Sequence, residues 1–158
     1  MSNLTISIFG NKSFLEIINE IEFFSKFKIK YYEDLDLCVK DAEKKNLLVI
    51  FFINKENKHF FNKNKIYNFP SIFTGQSSIS KNMSFDELSE QLNMPFTILE
   101  FKKKVVSLFA KQEFKKNSII QLNDYTIDKN ERKIKKNDLE LQLSEKEINF
   151  CLSVFYFH

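Results

Sequence analysis

Ile119-Ile120-Gln121-Leu122, Tyr125-Thr126-Ile127-Asp128, Lys133-Ile134-Lys135-Lys136 and Leu139-Glu140-Leu141-Gln142 follow one another with only a few residues between them. Apolar side chains alternate in each piece. Asn123-Asp124, Asp128-Lys129-Asn130 and Lys136-Asn137-Asp138 separate them with residues that favour turns. The pattern predicts a meander of short antiparallel strands. Next comes Leu143-Ser144-Glu145-Lys146-Glu147-Ile148, where Ser144 can accept from the backbone of Glu147 while Glu147 reaches back. That is a capping box, and it predicts a helix starting after Ser144.

Upstream, strands and helices alternate. Leu4 to Phe9 alternates and ends at Gly10-Asn11. Ser13 to Phe24 carries Phe14, Leu15, Ile17, Ile18, Ile21 and Phe24 at helical spacing. Lys28 to Tyr32 reads as a second strand and Leu35 to Lys45 as a second amphipathic helix. Leu47 to Ile53 is an unbroken apolar run, the kind buried on both faces of a parallel sheet and far too short to span a bilayer. Pro70 to Thr74 predicts a fourth strand ending at Gly75, and Thr97 to Lys111 a long helix entered through Met94-Pro95-Phe96. Two stretches are ambiguous. Asn54 to Asn68 is expected to hold a short helix near His59-Phe60-Phe61. Gln76 to Asn93 is expected to form either a helix at Phe85 to Leu92 or an edge strand near Leu88. The polar stretch Glu113 to Ser118 is the expected domain boundary. The whole predicts a parallel α/β domain with helices on both faces, then an antiparallel meander and one helix.

Composition limits function only loosely. The 158 residues carry 24 basic and 21 acidic side chains, net +3, which neither requires nor excludes nucleic acid. Abundant Phe, Lys, Asn and Ile, with two Gly and two Pro, fit A/T-biased coding better than a functional phenylalanine array. Cys38 and Cys151 form no CxxC pair, and the N-terminus lacks a signal-like run, so reduced cysteines in a cytoplasmic protein are expected. His59 and His158 have no ligand-spaced partners, so no metal site is expected. Ser144 lacks a nucleophile elbow, Gly10 stands without a phosphate-cradling glycine loop, and Glu33, Asp34 and Asp36 read as turn and helix N-terminal charges. Neither a cofactor nor an enzymatic activity is expected.

The meander and capped helix resemble the start of the winged-helix DNA-binding domain of OmpR/PhoB-type response regulators, with Ser144 where the family has threonine. The first half resembles that family's receiver domain, a flavodoxin-like fold. Met94-Pro95-Phe96-Thr97-Ile98-Leu99-Glu100-Phe101 follows its lysine-proline-phenylalanine junction and fifth helix. The resemblance covers 1–113 (receiver-like) and 118–158 (winged-helix-like). It implies a switch-like role for Thr74. It also implies a symmetric dimer through the fifth-helix face, with Phe101, Lys104 and Val105 on that face and Asp86, Glu87 or Glu90 opposite.

The departures concern chemistry. Receiver phosphorylation needs an acidic pair to hold Mg²⁺, an acceptor aspartate and a lysine. Here Gly10-Asn11 follows the first strand, Phe51 or Phe52 occupies the acceptor position, and Met94 replaces the lysine. Asn11 and Asn54 offer only weak amide ligands. The domain therefore reads as a pseudo-receiver. Lys102 to Lys104, Lys115-Lys116 and Lys133, Lys135 and Lys136 form basic clusters that could meet DNA phosphates without reading sequence, or be solvated faces. After Ser144 fourteen residues remain, enough for one helix of roughly 20 Å, so the recognition helix and wing are expected to be absent. The expected function is an atypical, phosphorylation-independent regulator that binds DNA weakly. The alternative is a dimerisation or interaction module that has lost DNA binding. A flavodoxin-like enzyme or sensor finds no supporting site.

Overall fold

The computed structural model describes residues 4–44, 47–61, 67–76 and 86–156. The chain packs as two units, 1–110 and 111–158. The first holds five parallel strands: β1 (Thr5–Phe9), β2 (Lys28–Tyr32), β3 (Leu47–Ile53), β4 (Ser71–Gly75) and β5 (Ser89–Asn93). They lie in the order β2-β1-β3-β4-β5. β3 is central and every one of its residues is buried, as its unbroken apolar run requires.

Alternation along β3 sends its side chains into two cores. Leu48, Ile50 and Phe52 join Ile6, Ile8, Ile72 and Leu92 under two helices, α1 (Lys12–Asn19) and α3 (Ile98–Ser118). Leu47, Val49, Phe51 and Ile53 pack with Phe9 and Phe73 under α2 (Leu35–Lys44). α1 contributes Phe14 and Ile18, one turn apart, and α3 contributes Phe101, Val105 and Leu108. Helices therefore cover both faces of the sheet.

Several boundaries differ from the sequence expectation. The first helix stops at Asn19, with Ile21 extended, and a 3-10 turn follows at Glu22–Phe24. The break lets Phe23 and Phe24 meet edge-to-face at 4.8 Å while Phe24 enters the core. The segment before Phe61 forms only a 3-10 turn, Lys58–Phe60. Of the two expectations for Gln76 to Asn93, the edge strand is realised as β5; residues 77–85 lie outside the described residues. α3 runs on through Glu113 to Ser118, where a boundary was expected. A Glu113–Lys116 pair at 3.4 Å, lysines in the last turn and a Ser118 hydroxyl donating to the Lys115 carbonyl at 2.8 Å sustain its end.

The second unit is an antiparallel sheet in chain order, β6 (Ile119–Leu122), β7 (Tyr125–Asp128), β8 (Lys133–Lys136) and β9 (Leu139–Gln142). Two-residue turns at Asn123-Asp124 and Asn137-Asp138 join β6 to β7 and β8 to β9, with both asparagines left-handed (φ 51° and 53°). Register aligns Ile120, Ile127, Ile134 and Leu141 as an apolar row across the sheet. The opposite face sets Asp128 against Lys133 and Lys135 against Glu140. Helix α4 (Glu145–Tyr156) follows. Its capping box forms as expected: Ser144 N–H donates to Glu147 Oε2 at 2.7 Å and Glu147 N–H to Ser144 Oγ at 3.3 Å.

Candidate functional site

In parallel α/β sheets, loops at the C-terminal strand ends build the sites. Here β1 ends at Gly10, β3 at Asn54, β4 at Gly75-Gln76 and β5 at Met94-Pro95, whose peptide bond is cis. Gly10 is left-handed (φ 87°), and a Cβ on it would lie 2.6 Å from the Phe52 carbonyl oxygen. That carbonyl accepts from the Asn57 side-chain amide at 2.8 Å. Asn57 Oδ1 in turn accepts from the Asn54 N–H at 2.8 Å, and Asn54 Oδ1 accepts from the N–H groups of Glu56 and Asn57, both at 2.9 Å. Asn11 Oδ1 accepts from the Phe14 N–H at 3.0 Å and caps α1. The two amide oxygens that the sequence offered as weak cation ligands, those of Asn11 and Asn54, thus serve the backbone.

The two candidate acceptor positions diverge. Phe51 points into the α2 layer, stacked on Phe73 at 5.0 Å. Phe52 points to the α1/α3 layer against Phe14 at 4.7 Å and stands directly beside Thr74 in the β3/β4 register. Thr74 is 1% exposed, and its hydroxyl has no hydrogen-bond partner among the described residues. A groove of about 570 Å³ opens above these strand ends, lined by Ile53, Asn54, Lys55, Glu56, Gln76, Met94 and Pro95. Glu56 brings a carboxylate to this edge, but from the loop beyond β3 rather than from a strand end. No cluster of three metal-ligating side chains occurs among the described residues.

The fifth-helix face needs correction. Phe101 and Val105 are fully buried in the core, because α3 uses them to cover the sheet. Its exposed large apolar residues are Ile98 (37% exposed), Leu99 (60%) and Val106 (51%) in the first unit and Phe114 (67%) in the second. Lys104 pairs with Glu90 of its own chain at 2.7 Å, so that charge is already matched within the fold.

Lys133, Lys135 and Lys136 lie on β8, each with an acidic partner. Lys133 and Lys135 share Glu140 at 2.7 and 2.8 Å, Lys133 also reaches Glu131 at 3.4 Å, and Lys136 faces Asp124 at 3.9 Å. Lys133 and then Lys135 hold the Glu140 carboxyl down to about 2, although solvent screening keeps so exposed a cluster weak in stability.

Three features escaped the sequence reading. Thr97 and Glu100 form a second capping box at the start of α3, with Thr97 N–H donating to Glu100 Oε2 at 2.7 Å. Its Thr-x-x-Glu spacing was visible beside the Ser144 box. Asn57 was hidden in a lysine/asparagine-rich run. Tyr32, Lys30 and Asp41 meet under α2, the Tyr32 hydroxyl donating to Asp41 at 2.5 Å and Lys30 lying 3.4 Å from the same oxygen.

The chain matches no family model and no curated protein. Among solved structures, a mutant of the response regulator RitR is similar in fold, with a TM-score of 0.54 at 10% sequence identity. That match covers 95% of this chain and 72% of the other. The architecture is response-regulator-like: a receiver-like parallel sheet, then an antiparallel sheet and a helix. No described helix is long and apolar enough to cross a membrane.

Proposed function

We propose that this chain is a phosphorylation-independent regulator of the OmpR/PhoB type, acting in transcription in the cytoplasm without enzymatic activity. Its second unit corresponds to the opening sheet and first helix of a winged-helix DNA-binding domain. The observation that carries the reading is the closed end of β3. Phe52 packs on Phe14 beside Thr74, where an acceptor aspartate would stand, and Asn11 and Asn54 are committed to backbone donors. Incubation with acetyl phosphate and Mg²⁺ should leave the intact mass unchanged. A stoichiometric, hydroxylamine-labile adduct would overturn the proposal.

A dimerisation or protein-interaction module that has lost DNA binding is the second reading, favoured by the charge pairing on β8. A DNA phosphate has to displace Glu140 from Lys133 and Lys135 before it gains either lysine. Under the first reading DNA binding is weak, nearly independent of sequence and steeply reduced by salt; under the second it is lost. Fluorescence anisotropy at low salt separates them: salt-sensitive binding to any duplex excludes the interaction module, and no binding excludes the regulator. A nanomolar complex with one operator, undiminished by excess random duplex at physiological salt, contradicts both. Self-association as a homodimer is assigned to Leu99 and Val106 on α3, the most exposed apolar residues of that helix within the first unit.

A further inference from the structure

β9 is an edge strand of the four-stranded sheet. Past the end of the β8/β9 ladder, Leu143 N–H donates to the Arg132 carbonyl at 2.6 Å. Hydrogen-bonded pairs recur at every second residue of an antiparallel ladder, so Ile134/Leu141 and Lys136/Leu139 are of the same kind. The backbone groups of Leu139 and Leu141 therefore face β8, and those of Glu140 and Gln142 face outward. The leucine side chains share one face of the sheet and remain 77% and 62% exposed. Edge strands are usually protected by proline, a bulge or an inward-pointing charge. β9 has no proline and pairs with β8 without a bulge, and its one charged side chain, Glu140, is held on the other face by Lys133 and Lys135.

We infer that β9 is a self-pairing edge whose occupant is β9 of a second copy, antiparallel across a twofold axis. Opposed residues of an antiparallel pair point to the same side, and a one-residue slip would set Leu141 against Glu140. Face matching leaves two central registers. One places Glu140 opposite its own counterpart, a like-charge contact. The other centres on Leu141, sets Leu141 against its counterpart and Glu140 against Gln142. This second register joins the outward backbone groups of Glu140 and Gln142 reciprocally and avoids the repulsion, so it is the one assigned.

Cross-linking of the full-length chain tests the register. In a Cys151→Ser background, Leu141→Cys should give a disulfide-linked dimer on mild oxidation, because non-hydrogen-bonded pairs hold their Cα atoms about 4.5 Å apart. Leu139→Cys, on the same face and the more exposed of the two, should give at least about fivefold less, because its two copies are then offset by about 13 Å along the strands. Equal yields from both positions, or no dimer from Leu141→Cys, overturn the inference. Sedimentation velocity supplies a second readout. A Val106→Lys protein should still dimerise, and adding Leu141→Lys should weaken its association at least about tenfold with an unchanged circular dichroism spectrum. A Val106→Lys protein that is already monomeric, or a double variant that associates as tightly as Val106→Lys alone, overturns it equally.

Discussion

The carbonyl oxygen of Phe52 occupies the space a side chain on Gly10 would need, 2.6 Å from where its Cβ would sit. Gly10 is also left-handed, at φ 87°, a conformation costly for any residue with a Cβ. Gly10→Ala should therefore destabilise the first unit by about 2 kcal/mol or more in urea denaturation. Gly10→Asp should lose at least as much, even though it supplies a carboxylate of the kind receivers carry after the first strand. An aspartate variant as stable as the parent would show that the β1 end is open rather than closed.

Restoring the acceptor should fail for a different reason. Phe52 is 5% exposed and packs against Phe14. Phe52→Asp removes that packing and leaves a carboxylate among phenylalanines, a loss of about 4 kcal/mol or more. The expected result is a broadened or absent thermal transition and no gain of acetyl-phosphate labelling. A cooperative, phosphorylatable variant would contradict it.

Lys104 and Glu90 meet at 2.7 Å between α3 and β5, with the glutamate side chain the more sheltered of the two. Lys104→Glu should cost about 1 kcal/mol after allowance for screening, and Glu90→Lys in the same protein should recover most of it. Because the pair lies within one chain, neither change should alter the association constant. Leu99→Lys or Val106→Lys should weaken association at the α3 face severalfold. Sedimentation velocity showing the reverse ranking would return the interface to Lys104.

The architecture was legible because its signals are periodic. β3 is apolar at every position, α2 carries Leu35, Val39 and Ala42 at helical spacing, and the meander alternates between asparagine turns. Burial was less legible. Phe101 and Val105 looked like contact residues, yet apolar residues on an amphipathic helix go first to its own sheet, and only the packing shows that Leu99 and Val106 are among those left over. Charge pairing was hidden for a similar reason. Lys133 and Glu140 are seven residues apart, and only the β8/β9 register brings them together. The role of Asn57 depends on a carbonyl of Phe52, for which composition carries no signal.

The two capping boxes should contribute alike. Ser144→Ala and Thr97→Ala each remove the hydroxyl that accepts from the third residue of the helix, Glu147 or Glu100. Each should cost about 1 kcal/mol. The Ser144 change should loosen α4 and the Thr97 change the start of α3, so hydrogen exchange should accelerate only at the altered helix end. Exchange that rises uniformly across both units would show that the boxes do not act locally.

Alkaline pH should weaken the first unit through groups beneath α2. Burial, and then the nearby Asp41 carboxylate, push the Cys38 thiol up to about 12. Burial first, and then the hydrogen bond to Asp41, raise the Tyr32 hydroxyl to about 12 as well. The unfolded chain releases these protons near about 8.5 for cysteine and about 10 for tyrosine. Above those values the unfolded state binds fewer protons than the folded one, so stability falls as pH rises. The urea midpoint should be flat from pH 6 to 8 and decline from about pH 9 toward 12. Cys38→Ala should remove the early part of the decline and leave the later tyrosine part. In the folded protein at pH 8, a thiol reagent should label the half-buried Cys151 and spare Cys38, which is fully buried. A midpoint that holds constant through pH 11, or rapid labelling of Cys38, would mean that α2 does not seal this layer.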